Sequence, residues 1–185
     1  RLLECGYDVV ALDNFSNSSP EALKRVQEIC GKPLHLVEGD VRDLECLQSI
    51  FKKHNISTVL HFAGSKSVGE STLRPLEYYD NNFSGTINLC RAMASAEIFQ
   101  LVFSSSATVY GTPIKIPIDE NHPTGLPTNP YGRSKLMAEE ALRDLALSDP
   151  RWSIALLRYF NPVGAHESGL IGEAPKGTPN NLVPF

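Results

Sequence analysis

Two rhythms of apolar residues alternate along the chain: short, nearly unbroken runs, and longer stretches in which apolar positions recur every three or four residues. The short runs are residues 7–12 (YDVVAL), 34–37, 58–62, 101–103 and 154–159, and each predicts a buried strand. Between them, Pro20–Cys30 places Leu23, Val26 and Ile29 or Cys30 on one helical face. Leu44, Leu47, Ile50 and Phe51 do the same behind Asp43, which is suited by type and position to cap a helix. The longest helical stretch, 75–96, carries Leu76, Tyr79, Phe83, Ile87, Cys90 and Ala94 near one stripe. A last helix is expected over 130–147, with Pro130 in its first turn. The remainder is rich in Gly, Pro and Asn and reads as loop.

Strands alternating with helices imply an α/β domain, a doubly wound and mostly parallel sheet covered on both faces. Such sheets bind ligands beyond the carboxyl ends of their strands. Asp13, Asp40, Ala63-Gly64, Ser106 and Asn161 each follow a predicted strand directly, so the chemically informative residues gather at that end. The first residues, Leu2 and Leu3 followed by Glu4-Cys5-Gly6, look like the last turn of a helix with a glycine cap. A doubly wound domain should carry a strand and a glycine-rich turn before that helix. The sheet is therefore expected to be incomplete at the N-terminus, with residues 1–185 forming a partial cofactor domain and the start of a substrate region from about residue 162.

Composition narrows the function classes. Seventeen basic against twenty-one acidic residues leave a net charge of −4, without the basic excess of a nucleic-acid-coating protein. No apolar run approaches the roughly 20 residues that span a bilayer. The four cysteines, Cys5, Cys30, Cys46 and Cys90, lack Cys-x-x-Cys spacing and are expected to be reduced, mostly buried thiols of a cytoplasmic protein. No set of His, Cys, Asp and Glu has metal-ligand spacing, so no metal is expected.

Several residues carry two readings each. Asp13, behind a valine-rich strand, is placed to accept hydrogen bonds from both hydroxyls of an adenosine ribose and to repel a 2′-phosphate, or else to cap a turn with Asn14. Asp40, after Gly39, suits an adenine edge or a helix-capping loop. Tyr131 and Lys135 share one face of the last helix; a nearby ammonium favours a phenolate, and a tyrosine so tuned can take a proton from a sugar hydroxyl. The alternative is an ordinary surface pair. Ser106, at the end of a strand, can donate to the same sugar oxygen, or simply belong to a serine-rich turn. Lys66 suits a nicotinamide or diphosphate oxygen or a solvated loop, and Asn81 a cofactor contact or a satisfied core amide; His61 reads as a core histidine.

Six motifs in order, HFAGSKSVGES (61–71), YYDNN (78–82), FSSSATVYG (103–111), NPYGRSK (129–135), RYFNPVGAH (158–166) and PNNLVPF (179–185), closely resemble the UDP-galactose 4-epimerase family, extended members of the short-chain dehydrogenases/reductases. The resemblance covers nearly the whole chain. It implies a Rossmann-like NAD domain followed by a smaller substrate domain. By matching positions, it implies Asp13 and Asn14 as ribose contacts and Asp40 with Val41 as adenine contacts. Phe62, Ala63, Gly64 and Lys66 match the cofactor loop, and Asn81, Ser104 and Tyr159 further cofactor contacts. Ser106, Tyr131 and Lys135 match the catalytic trio, and Lys66, Phe160, Asn161 and Asn181, with Ser106 and Tyr131, the substrate contacts.

The implied reaction interconverts UDP-galactose and UDP-glucose: Tyr131 removes the 4-hydroxyl proton, the 4-hydride passes to a retained NAD, the keto sugar turns over, and the hydride returns to its other face. Related dehydratases need an extra acid and base beside the serine; Ala107 and Thr108 stand there, and neither exchanges a proton near neutral pH. A UDP-uronate 4-epimerase and a non-catalytic NAD-binding or interaction protein on the same fold are the alternatives. The family also implies a possible homodimer through helices 75–96 and 130–147. The missing glycine-rich turn should present N–H groups to a pyrophosphate, so the isolated chain is expected to be inactive.

Overall fold

The computed structural model describes residues 1–172 and resolves them into two compact units, one formed by Arg1–Asp40 with the segment from Asn161 onward, the other by Val41–Phe160. Asn181 lies outside the described residues.

The first unit opens with the helical turn that the glycine at position 6 implied. Tyr7 N–H donates to Leu2 O (3.1 Å) and Gly6 N–H to Leu3 O (3.0 Å), with Gly6 at φ +89°. This nested pair of bonds satisfies the carbonyls at a helix end. Strand β1 (Val10–Asp13) then pairs in parallel with β2 (His35–Glu38), Val10 opposite His35 and Asp13 opposite Glu38. Helix α1 (Pro20–Cys30) connects them; Ser19 caps its start by accepting from Glu21 N–H, and Gly31, in the left-handed region, closes its end. The strand expected over 7–12 thus begins three residues later and includes Asp13.

In the second unit β3 (Thr58–His61), β4 (Gln100–Ser106) and β5 (Ser153–Tyr159) form a parallel sheet in that order. Helix α2 (Leu44–Lys53) starts at Asp43, whose carboxylate accepts from Cys46 N–H as the capping reading requires. After α3 (Val68–Leu73), the stretch expected as one long helix is α4 (Pro75–Tyr78), a π-helical turn (Tyr79–Ser84) and α5 (Gly85–Ser95) in succession. The buried stripe runs one residue ahead of the expected one on both sides of the π-helical turn. Leu76 is 80% exposed and Ala94 is exposed, whereas Tyr78, Asn82, Thr86, Leu89, Cys90 and Met93 face inward. Gly85 lets this helix approach closely: a Cβ there would stand 2.8 Å from Val41 Cγ2.

Helix α6 (Pro130–Ser148) packs on β4, β5 and the π-helical turn. Asn129 caps it by accepting from Gly132 N–H at 2.8 Å. The core between α6, α5 and the sheet is built from Met93, Leu101, Phe103, Val109, Ala138 and Leu142, none more than 2% exposed. Burying such side chains contributes about 1.5–3 kcal/mol each. Cys90 is also buried, but Cys5 is exposed and Cys30 and Cys46 are intermediate, so the cysteines are less buried than expected; all four are free thiols.

Candidate active site

In the first unit, the residues expected at a nucleotide ribose sit at the carboxyl ends of β1 and β2. Asp13 Oδ1 accepts from Phe15 N–H and from the Ser18 hydroxyl, both at 2.8 Å, so the turn-capping reading of this carboxylate holds. Asn14 uses its carbonyl to accept from Ser16 and its amide to donate to Asp40 Oδ2 at 2.9 Å. These bonds fix three polar side chains at the strand tips, and the two to Asp13 fall on Oδ1. Val41, the first residue of the second unit, is 7% exposed, with its side chain against Gly85.

In the second unit, the tips of β3 and β5 expose aromatic surface: Phe62 is 59%, Phe160 61% and Tyr159 38% accessible. Ala63 and Lys66 of the loop after β3 are also exposed. The loop is anchored by Asn82. Its amide oxygen accepts from Ser65 N–H (2.8 Å), and its NH2 donates to Ser65 O (2.9 Å) and to Ser134 Oγ on α6 (3.1 Å). Asn81 donates to the same oxygen at 3.1 Å and to Ser65 Oγ at 3.4 Å. One buried amide therefore ties loop, π-helical turn and α6 together. The sequence reading named Asn81 and missed Asn82; the signal was a polar residue inside a buried helical face, hidden by the altered turn. π-helical turns often mark functional sites.

Lys135 is 5% exposed, and its ammonium donates to the Ser104 carbonyl at 2.9 Å while lying 4.9 Å from the centre of the Phe103 ring. Burial lowers its pKa to about 8. A Cβ on Gly64 would stand 3.4 Å from Lys135 Nζ and 3.1 Å from Asn82 Oδ1, so only glycine brings the loop this close. The surface-pair reading of Tyr131 and Lys135 fails for the lysine, since it is buried at the tips of β3 and β4; Tyr131 is half-buried in the first turn of α6. Ser106, 8% exposed, ends β4 and accepts from Thr108 N–H (3.2 Å) and from the Thr108 hydroxyl (3.0 Å).

One further turn along α6, on the face of Tyr131 and Lys135, Glu139 is fully buried. It accepts from Ser105 Oγ (2.5 Å), from Arg158 Nε (2.9 Å) and Nη2 (2.7 Å), and from Arg143 Nη2 (3.0 Å). Burial pushes its pKa up, but hydrogen bonds from Arg158 and Ser105 outweigh this and hold it below the usual carboxylate range. Ser105 and Arg158 oppose each other in the β4–β5 register, one rung below Ser106 and Tyr159. The carboxylate thereby fixes α6 to both strands, one rung below Ser106 and Tyr159. Sequence reading overlooked it, although an acid four residues past Lys135 on a helix with Ala138 and Leu142 marks a buried face.

His61 is the core histidine expected. Thr86 Oγ donates to Asn82 O (2.7 Å), which makes it the acceptor for His61 Nε2–H at 2.9 Å. Among the described residues no group of three or more His, Cys, Asp or Glu is placed to hold a metal, and no helix is long and apolar enough to cross a membrane.

Residues 1–184 match the model of the NAD dependent epimerase/dehydratase family. UDP-glucose 4-epimerase of Bacillus subtilis (strain 168) is 58% identical over 185 residues, covering 100% of this chain and 54% of that protein. Among solved structures, UDP-glucose 4-epimerase from Bifidobacterium longum in complex with NAD+ and UDP superposes with a TM-score of 0.96 at 57% identity, over 99% of this chain and 55% of that one. The Stenotrophomonas maltophila enzyme with bound NAD and formylated UDP-arabinopyranose gives 0.95 at 48% identity, over 99% and 54%. The chain thus spans about half the length of the relatives it matches. Its parallel α/β architecture is that of these Rossmann-fold proteins, and the chain belongs to the NAD dependent epimerase/dehydratase family.

Proposed function

We propose that this chain is the cofactor half of an NAD-dependent UDP-hexose 4-epimerase that interconverts UDP-galactose and UDP-glucose. The observation that carries the reading is the burial of Lys135 at the strand tips, one helical turn from Tyr131 and hydrogen-bonded to Ser104 O. Burying an ammonium is unfavourable in itself. Beside a ribose and a reacting sugar it supplies charge where water is excluded.

The residues present fit the cofactor. Asp13 with Asn14 and Asp40 suit a diol, which favours NAD over a 2′-phosphorylated form, and Asn81, Gly64, Ser104 and Lys66 suit its nicotinamide side. When bound, NAD takes up and returns a hydride at the sugar 4-carbon. Tyr131 accepts the proton of the 4-hydroxyl and later gives it back, Ser106 donates to the same oxygen, and Lys135 holds positive charge near both. Tyr159 and Phe160 offer exposed aromatic surface, and Asn161 and Asn181 complete the expected substrate contacts.

The decisive experiment uses the full-length protein. It should bind NAD and convert UDP-galactose, and Tyr131→Phe should lose about a hundredfold or more in kcat while keeping the cofactor. Equal conversion by Tyr131→Phe overturns the mechanism, and turnover of UDP-glucuronate with none of UDP-galactose replaces the substrate. A binding role without catalysis would leave NAD affinity intact and turnover absent. The protein is proposed to be cytoplasmic and to form a homodimer. An apolar groove between α5 and α6, lined by Ile87, Cys90, Ala94, Leu142 and Leu145, supports the pairing, which sedimentation tests.

A further inference from the structure

We infer that Thr108 is a positioning residue that makes Ser106 a one-way proton donor; the inference rests on the epimerase reading of this site. A serine hydroxyl has two acceptor lone pairs and one proton. Two donors of one residue reach Ser106 Oγ: Thr108 N–H at 3.2 Å and the Thr108 hydroxyl at 3.0 Å. The first donor is a backbone amide and cannot reverse. With the second also donating, the Ser106 proton is turned away from Thr108 and left for the sugar oxygen.

Thr108 is itself held from the other side. It lies in a short 3-10 turn, Ala107–Tyr110, and packs against the first turn of α6. A Cβ at Gly132 would stand 3.2 Å from Thr108 O and 3.3 Å from Thr108 Cβ, so the absence of a side chain next to Tyr131 is what admits the threonine. Thr108 therefore touches the helix turn that carries Tyr131 and the serine that serves the same oxygen. Its hydroxyl acts through Ser106, which it orients. A preset donor lowers the reorganisation needed as charge develops on the sugar oxygen.

The opposite arrangement, with Ser106 donating to Thr108, would make the threonine an inhibitor of its own site, and the two arrangements differ in the sign of one measurement. In the full-length, NAD-loaded protein, Thr108→Val removes the hydroxyl at constant shape. It should lower kcat for UDP-galactose about tenfold with KM and NAD content within twofold of wild type, while Thr108→Ser keeps kcat within about threefold. A rise or no change in kcat for Thr108→Val, or an equal loss in Thr108→Ser, overturns the inference. If Thr108→Val fails to fold, the pair Thr108→Ser and Thr108→Ala, which differ only by the hydroxyl, gives the same comparison. A wild-type protein without turnover refutes the epimerase reading and this inference together, whereas an active wild type with an active Thr108→Val refutes the inference alone.

Discussion

The ammonium of Lys135 donates to the backbone carbonyl of Ser104 at 2.9 Å from a position 5% exposed to solvent, so α6 and the tip of β4 are joined by a charge held out of water. Burial lowers the pKa of this lysine from 10.5 to about 8, which makes its protonation a measurable part of stability. The unfolded chain binds this proton more tightly, so the native state loses stability as pH falls from about 10.5 to about 8 and the loss is complete below that. Lys135→Met abolishes the term. Relative to wild type, the variant should gain on the order of 3 kcal/mol as pH drops through that window, read by denaturant titration at several pH values, while epimerisation is lost.

His61 acts in the same direction in a more acidic window. Burial, reinforced by the charge of Lys135, lowers its pKa from 6.5 to about 3. The folded state keeps the ring neutral where the unfolded state protonates it, so stability present above about pH 6.5 is lost as pH falls towards 3. His61→Leu should flatten the acid limb of the stability curve between these values, by an amount on the order of 4 kcal/mol. An acid limb of unchanged slope would assign the loss to other groups.

The Glu139 clamp predicts an asymmetry between breaking and deleting a buried ion pair. Glu139→Gln leaves Arg158, which is 13% exposed at its side chain, without its counter-charge and should destabilise by about 3–5 kcal/mol. The double variant Glu139→Met with Arg158→Met removes both charges and should recover much of that loss in chemical denaturation. It should not recover activity, because the tie between α6 and the rung below Ser106 is gone.

Gly132 gives a steric test of the same region. A methyl group there would meet Pro127 Cβ at 2.9 Å as well as the Thr108 backbone. Gly132→Ala should destabilise by about 1–3 kcal/mol despite the better helix propensity of alanine. It should also lower kcat more than an equally destabilising change remote from the site.

Much of the scaffold was legible because its signals are local. The Gly6 cap, the Asp43 cap and the limits of α1 follow from residues within a few positions of each other. The long helix was misjudged because the phase of its stripe was set one residue late, which placed exposed Leu76 inside and left buried Tyr78 and Asn82 out, and because no local spacing marks the π-helical turn. The site divides in the same way. Tyr131, Lys135 and Ser106 could be picked out from spacing and resemblance, but the residues that hold them could not. Asn82 bonds to Ser134 across 52 positions and Glu139 to Ser105 across 34, and no local pattern encodes partners at such distances.

The π-helical turn at Tyr79–Ser84 lets a single helix answer to two masters. Each residue advances a regular helix by about 100°, so one surplus residue resets the angular phase of everything after it. Within the turn, Asn82 aims its amide at the loop and at α6; just after it, Gly85 offers a flat surface to Val41. Excising one residue from 79–84 would restore regularity and force these two allegiances into conflict. An irregularity of this kind is thus a hinge of design, separating a chemical duty from a packing duty along one continuous rod.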